Sequence, residues 1–122
     1  MEDKVDLHLH SYYSDGTISP SELAQLAVNR GFRAISLTDH DCLDGIEEAR
    51  QTGESLGLEV IPGVELSVEY DGVKDIHILG YLFDYRDESL NAKLKEFRKV
   101  RRERGEKIVS NINTILLKEG RM

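Results

Sequence analysis

The stretch Val5-Asp6-Leu7-His8-Leu9-His10-Ser11-Tyr12-Tyr13-Ser14-Asp15-Gly16 decides the fold, and the other motifs are arranged around it. Its polar and apolar residues alternate, which predicts a β-strand over about Lys4 to His10. Imidazoles at positions i and i+2 of a strand project to the same side, and a Ser-Asp-Gly turn then returns Asp15 to the end of that strand. Paired histidines with a nearby carboxylate are typical of a site for Zn, Mn or Fe.

The composition indicates one soluble domain, or part of one, in a chain of 122 residues with 39% hydrophobic content. We find no apolar run near 18 residues and no signal-peptide pattern, so we expect a cytoplasmic protein without membrane contact. The single Cys42 excludes an internal disulfide, and nothing in the local sequence activates it as a nucleophile.

The net charge of −7 conceals two halves of opposite sign. Residues 1–85 carry 5 basic and 17 acidic residues, whereas residues 86–122 carry 11 basic and 6 acidic ones. The acidic half can hold cations, and the basic half can face a polyanion or simply present a solvated helix face.

The rest of the chain predicts alternating helices and strands. Ser19 is the expected N-cap of a first helix, with Pro20 at its first position, Glu22 closing a capping box and Gly31 ending the helix. The elements predicted after it are a strand at Ala34–Thr38, a helix at Leu43–Leu56, a strand at Leu58–Ile61 and a hairpin of Glu65–Tyr70 and Lys74–Tyr81. Short connections predict parallel strands, and polar clusters follow them at the edge where α/β proteins place their chemistry.

A long helix is predicted from Asp87 to Gly120. Its apolar stripe consists of Leu90, Leu94, Phe97, Ile108 and Ile115. Arg101 and Arg104 fall in phase with this stripe, and arginines on an apolar face need an anionic partner. Alternatively, Gly105 breaks the helix and removes the phase relation.

Six residues are candidate metal ligands: His8, His10, Asp15, His40, Glu65 and His77. This set suits a cluster of two or three metals that acts on phosphoryl groups, and a single structural zinc is the competing interpretation. Asp39 and Asp41 flank His40 and are candidates to orient its ring, although turn formation or helix capping would also explain them.

Four motifs in order resemble the PHP (polymerase and histidinol phosphatase) family across the whole chain. They are Asp6–Ser11 with Ser14–Gly16, Thr38–Asp41, Pro62–Glu65, and His77 within Ile76–Tyr81. The sequence is most similar to small bacterial stand-alone PHP phosphoesterases. The resemblance implies activity on nucleoside 3',5'-bisphosphates and on the 5' ends of short oligonucleotides.

The resemblance implies an α/β fold, the N-terminal portion of a distorted (β/α)7 barrel over residues 1–85 and the start of a helical insertion over 86–122. It also implies up to three divalent metals. His8, His10 and Glu65 would hold the first, Glu65 would bridge to a second at His77, and Asp15 and His40 would hold the third. Arg101 and Arg104 of the insertion would then contact substrate phosphate.

The departure from the family pattern is the absence of a later His and a late Asp-x-His, so each metal would lack one protein ligand. We therefore expect a truncated chain of little or no activity. Its unpaired strand edges and apolar helix face predict self-association. Two alternatives stay open: a non-catalytic metal-binding or assembly module, and a histidinol-phosphate phosphatase.

Overall fold

In a computed structural model that describes residues 3–120, the chain forms a curled four-stranded sheet flanked by helices. The elements in chain order are β1 (Lys4–Leu9), α1 (Pro20–Asn29), β2 (Phe32–Leu37), α2 (Ile46–Leu56), β3 (Glu59–Tyr70), β4 (Val73–Tyr81) and α3 (Glu88–Lys118). The strand order is β1-β2-β3-β4, with the first three strands parallel and β4 antiparallel to β3.

The predicted N-cap and first-turn proline of α1 are confirmed, and a glycine ends α2. The Ser19 side chain caps α1 by accepting a hydrogen bond from the Glu22 N–H, and Pro20 occupies the first turn. Gly57 ends α2 in the left-handed conformation, with φ of 75°. The start of α2 was predicted too early, because the chain makes turns from Asp41 to Gly45 before the first helical residue, Ile46.

The prediction of two separate strands at Leu58–Ile61 and Glu65–Tyr70 was wrong, since β3 runs unbroken from Glu59 to Tyr70. The first third of β3, Glu59–Pro62, pairs with β2, and the rest, from Gly63 to Tyr70, pairs with β4. The absence of a side chain at Gly63 lets the strand lie close to β2, because a Cβ there would lie 2.1 Å from the Ser36 Oγ. Pro62 also connects β3 to the residue after β4, since its carbonyl accepts a hydrogen bond from the Leu82 N–H at 3.0 Å.

The predicted hairpin is confirmed, with Tyr70 paired to Val73 across a turn. Both turn residues, Asp71 and Gly72, have positive φ, as a two-residue hairpin turn requires.

The sheet curls until its two edge strands meet. The Tyr81 hydroxyl on β4 donates a hydrogen bond of 2.6 Å to the Leu7 carbonyl on β1. The strict alternation expected for β1 is interrupted by a register shift between Asp6 and Leu9. Val5 and Leu7 on this edge strand are exposed rather than buried.

Two apolar clusters hold the helices to the sheet. The larger one lies between α1, α2 and the parallel strands and consists of Ala24, Ala27, Ile35, Leu37, Ala49, Leu58 and Val60. The smaller one holds α3 through Leu94, which is 1% exposed and packs with Leu43, Ile46 and Val64.

Helix α3 passes through Gly105 without a break, so the alternative of a helix end there was wrong. Beyond Phe97 its apolar side chains, including Ile108 and Ile115, are about half exposed. Self-association through this face stays a prediction. Within residues 3–120, no helix combines the length and the apolar character that a membrane span requires.

Replacement of Gly63 by Ala should destabilise the fold by about 1–3 kcal/mol, because the new methyl group would overlap the buried Ser36 side chain. The free energy of unfolding in urea measures this effect. Gly80→Ala on β4 is the matched control, since its Cβ would make an ordinary 3.5 Å contact with Val64. Equal stability of the two variants would show that β2 and β3 are not closely packed at Gly63.

Candidate metal centre

The carboxylate of Glu65 is the centre of the cluster of candidate ligands. It is only 4% exposed, although it lies in the middle of β3. Its Oε1 lies 2.6 Å from the His8 Nε2 and 2.9 Å from the His10 Nε2. Its Oε2 lies 2.6 Å from the His77 Nδ1 and 3.8 Å from the His40 Nδ1. All four histidines of the chain therefore surround one buried acid.

Asp15 joins two of the same histidines from the solvent side. One carboxylate oxygen contacts the His10 Nδ1, and the other lies 3.1 Å from the His40 Nε2. His10 thus contacts Asp15 through one ring nitrogen and Glu65 through the other. The turn predicted from Ser14-Asp15-Gly16 places this carboxylate beside His10, directly after β1, and His40 in the loop after β2.

Backbone hydrogen bonds bring the loop after β2 to Glu65. The Glu65 N–H donates to the Asp39 carbonyl at 3.2 Å, and the Asp41 N–H donates to the Glu65 carbonyl at 3.0 Å. These two bonds flank an isolated bridge between His40 and Glu65. His77 reaches the cluster from β4, where it lies directly opposite Ser67, two residues after Glu65.

Contacts within the cluster shift the pKa values of His10, Asp15 and Glu65. Burial acts to lower the pKa of His10, but hydrogen bonds and charge from Asp15 and Glu65 outweigh it, and the pKa is raised. The hydrogen bond with His10 lowers the pKa of Asp15. Burial acts to raise the pKa of Glu65, yet the neighbouring imidazoles, His8 first, lower it overall. Both carboxylates are therefore ionised at neutral pH, as metal ligands must be.

The donor geometry fits divalent metals. Three groups each have ligand atoms within 4.8 Å of one another: His8, His10 and Glu65; His10, Asp15 and His40; and His40, Glu65 and His77. Atoms that bind one ion at about 2.0–2.2 Å lie within about 4.4 Å of one another, which is comparable to the spacing in these groups. Imidazole and carboxylate donors suit Zn, Mn and Fe.

Asp39 differs from the expectation that it orients the His40 ring. It is 1% exposed, and its carboxylate accepts hydrogen bonds from the Ser11 N–H at 2.7 Å and the Ser11 hydroxyl at 2.6 Å. The Ser14 hydroxyl donates to the same carboxylate at 2.8 Å. Asp39 therefore fixes the loop that carries Asp15, because a buried carboxylate is stable only where donors surround it.

Asp41 connects this centre to α3, and it does not cap α2 as considered from the sequence. It is 1% exposed and has a φ of 47°. Its carboxylate pairs with Arg101 and accepts the Ser67 N–H at 3.3 Å, while its carbonyl accepts a 2.7 Å hydrogen bond from Arg98. Two arginines three positions apart thus dock α3 on the loop that carries His40.

Of the arginines, Arg98 was missed by the sequence analysis and Arg104 lies apart from the ligands. Arg98 and Arg101 border a cleft of about 240 Å³ with Tyr13, Ser14, Asp15 and His40. Arg104 borders a different cleft, between α3 and the hairpin of β3 and β4. The i, i+3 spacing of Arg98 and Arg101 could have predicted that the two side chains act together. Arg98, however, lies off the apolar stripe with which Arg101 is in phase.

Comparison with known proteins gives consistent matches over nearly the whole chain. The sequence profile of the PHP domain matches residues 6–118. The chain is 40% identical over 108 residues to a 5'-3' exoribonuclease of Haemophilus influenzae and 37% identical over 108 residues to a 3',5'-nucleoside bisphosphate phosphatase of Chromobacterium violaceum. Each alignment covers 88% of this chain but only 39% and 38% of the relatives, so the chain spans about two fifths of their length.

Solved structures support the same fold. An amidohydrolase from Chromobacterium violaceum, with bound sulfate and no metal, has a TM-score of 0.82 at 35% identity over 91% of this chain and 39% of that chain. A predicted metal-dependent phosphoesterase from Bifidobacterium adolescentis has a TM-score of 0.82 at 27% identity over 93% of this chain and 40% of that chain. The predicted fold class, a partial α/β barrel followed by a helix, is confirmed.

Replacement of Glu65 by Gln should weaken Mn²⁺ binding at least about tenfold, because it removes the charge shared by two of the three donor groups. Isothermal titration calorimetry measures the affinity, and circular dichroism checks the fold. Glu69→Gln is the matched control, since Glu69 is an exposed acid on the same strand and outside the three groups. If both variants bind Mn²⁺ as the parent does, Glu65 is not a ligand.

Proposed function

Because this chain belongs to the PHP domain family, we propose that the protein carrying it is a phosphoesterase dependent on divalent metal ions. Its proposed substrates are phosphate monoesters of nucleotides, namely nucleoside 3',5'-bisphosphates or the 5' ends of short oligonucleotides. The main support is the clustering of three donor groups, two of which share the buried Glu65 carboxylate. The relatives described above as a bisphosphate phosphatase and an exoribonuclease support the choice of substrates.

The ligand roles follow the three donor groups. His8, His10 and Glu65 would hold one ion, and Glu65 would share a second with His77. Asp15 and His40 would hold a third beside His10. Mn, Zn and Fe are the candidate metals, and such ions, when bound, polarise a phosphoryl oxygen and lower the pKa of a bound water.

The positive charges beside the ligands would bind the substrate phosphate. Arg98 and Arg101 border the cleft that contains Asp15 and His40, and each keeps guanidinium donors beyond those used on Asp41. A tetrahedral anion in this cleft would then lie between guanidinium groups and the metal ligands. The sulfate bound in the structural relative from Chromobacterium violaceum is an anion of the same shape.

We also propose separate roles for the two parts of the chain. Residues 1–85 would supply part of the barrel with the metal ligands, and residues 86–122 would begin an insertion that covers the mouth of the site. By the family resemblance, the complete sites would include a later His and a late Asp-x-His in addition to these residues. We therefore expect turnover from the whole protein and little from residues 1–122 alone.

The whole protein should release inorganic phosphate from a nucleoside 3',5'-bisphosphate in the presence of Mn²⁺. His10→Ala should lower turnover at least about 100-fold, because His10 belongs to two of the donor groups. Gln25→Ala, at an exposed position of α1, is the control and should leave turnover unchanged. A colorimetric phosphate assay with and without a chelator measures the rate.

Phosphate release that survives both the chelator and His10→Ala would refute the metal-dependent mechanism. Release from histidinol phosphate but not from the nucleotide would favour the alternative phosphatase. A folded protein that binds Mn²⁺ without hydrolysing either ester would favour a non-catalytic module.

A further inference from the structure

A second cleft lies next to the metal centre, between α3 and the hairpin of β3 and β4. It has a volume of about 280 Å³, near the lower end of the range for small-molecule sites. One wall is the ring of Phe97, which is 44% exposed, together with Val100. The opposite wall is formed by the strand residues Ser67 and Val68.

Two contacts connect this cleft to the candidate ligands. Ser67 lies directly opposite His77 in the antiparallel pair of β3 and β4, and such cross-strand neighbours have Cβ atoms about 4.5–5.5 Å apart. The Arg101 guanidinium donates a 3.0 Å hydrogen bond to the Ser67 hydroxyl and also borders the cleft of Asp15 and His40. Arg101 is therefore a wall shared by both clefts.

The charges around the second cleft favour a neutral, planar ligand. Its basic residues, Lys74, Arg101 and Arg104, are balanced by the acidic residues Asp41, Glu69 and Asp75. The three positive and three negative charges balance, so the cleft has no excess positive charge for a second phosphate. An exposed aromatic ring beside mixed donors and acceptors instead suits a nucleobase, which stacks on its face and hydrogen-bonds at its edge.

We propose that the cleft at Phe97 binds the base of the substrate nucleotide while its phosphate lies at the metal centre. This inference rests on the proposed function and makes Phe97 a specificity-determining residue for esters that carry a base. Arg101, fixed by Asp41, separates the base from the phosphate. A substrate that reaches from His77 across Ser67 would extend along the sheet onto the Phe97 ring.

The test compares binding of adenosine 5'-phosphate with binding of ribose 5-phosphate, which lacks the base, to the whole protein by calorimetry. The parent should bind the nucleotide at least about tenfold more tightly, as expected for one stacked base. Phe97→Leu, which keeps an apolar side chain, should lose most of this preference without weakening ribose 5-phosphate. Phe97→Tyr keeps the ring and should retain the preference. Ile108→Ala, at an exposed position of the same helix, is the control.

A preference that survives Phe97→Leu, or one that Phe97→Tyr loses as fully as Phe97→Leu, would overturn the inference. Phosphate release from a nucleoside 3',5'-bisphosphate, measured with Mn²⁺ on the same variants, separates it from the proposed function. Hydrolysis by a protein whose preference for the nucleotide does not depend on Phe97 would refute the base site and support the phosphoesterase. Binding that depends on Phe97 without any hydrolysis would support the base site and refute the phosphoesterase.

Discussion

The burial of the Glu65 carboxylate is the constraint on which the rest of the structure depends. An ionised acid that is 4% exposed is stable only when charged or polar partners surround it. Those partners are histidines from β1, from the loop after β2 and from β4, so the cluster is complete only when the strands are correctly paired. The curl of the sheet, marked by the hydrogen bond from Tyr81 to Leu7, brings the outer strands close enough to share one acid. Correct pairing of the strands is therefore what brings the candidate metal ligands together.

A second buried acid, Asp41, connects the Glu65 cluster to α3. Its N–H donates to the Glu65 carbonyl, and its carboxylate pairs with Arg101. Apolar packing of α3 is concentrated at Leu94, so the two arginine contacts add a polar anchor next to the ligands. The helix thereby becomes a wall of both clefts, and its Arg98 and Arg101 lie beside the candidate ligands Asp15 and His40 rather than only on a solvated face.

The candidate ligands, whose proximity is observed, could be identified from sequence because each motif is local. The spacing of His8 and His10 on a strand, and the turn that carries Asp15, depend on a few neighbouring residues. Other features depend on contacts distant in sequence. Separate strands were predicted on the two sides of Pro62-Gly63-Val64, but β3 continues because the missing Cβ of Gly63 leaves room for Ser36 on the next strand. Asp39 was expected to orient the ring of its neighbour His40. The donors to its carboxylate are instead Ser11 and Ser14, which no local sequence pattern connects to it.

The central claim is that both oxygens of Glu65 bind metal, one with the β1 histidines and the other with His77. The most direct test is a crystal structure of the whole protein grown with Mn²⁺, with anomalous diffraction recorded at the manganese absorption edge. The predicted result is a pair of anomalous peaks next to Glu65, one beside His8 and His10 and the other beside His77. Manganese peaks that lie away from Glu65, with its carboxylate still paired only to imidazoles, would contradict the claim.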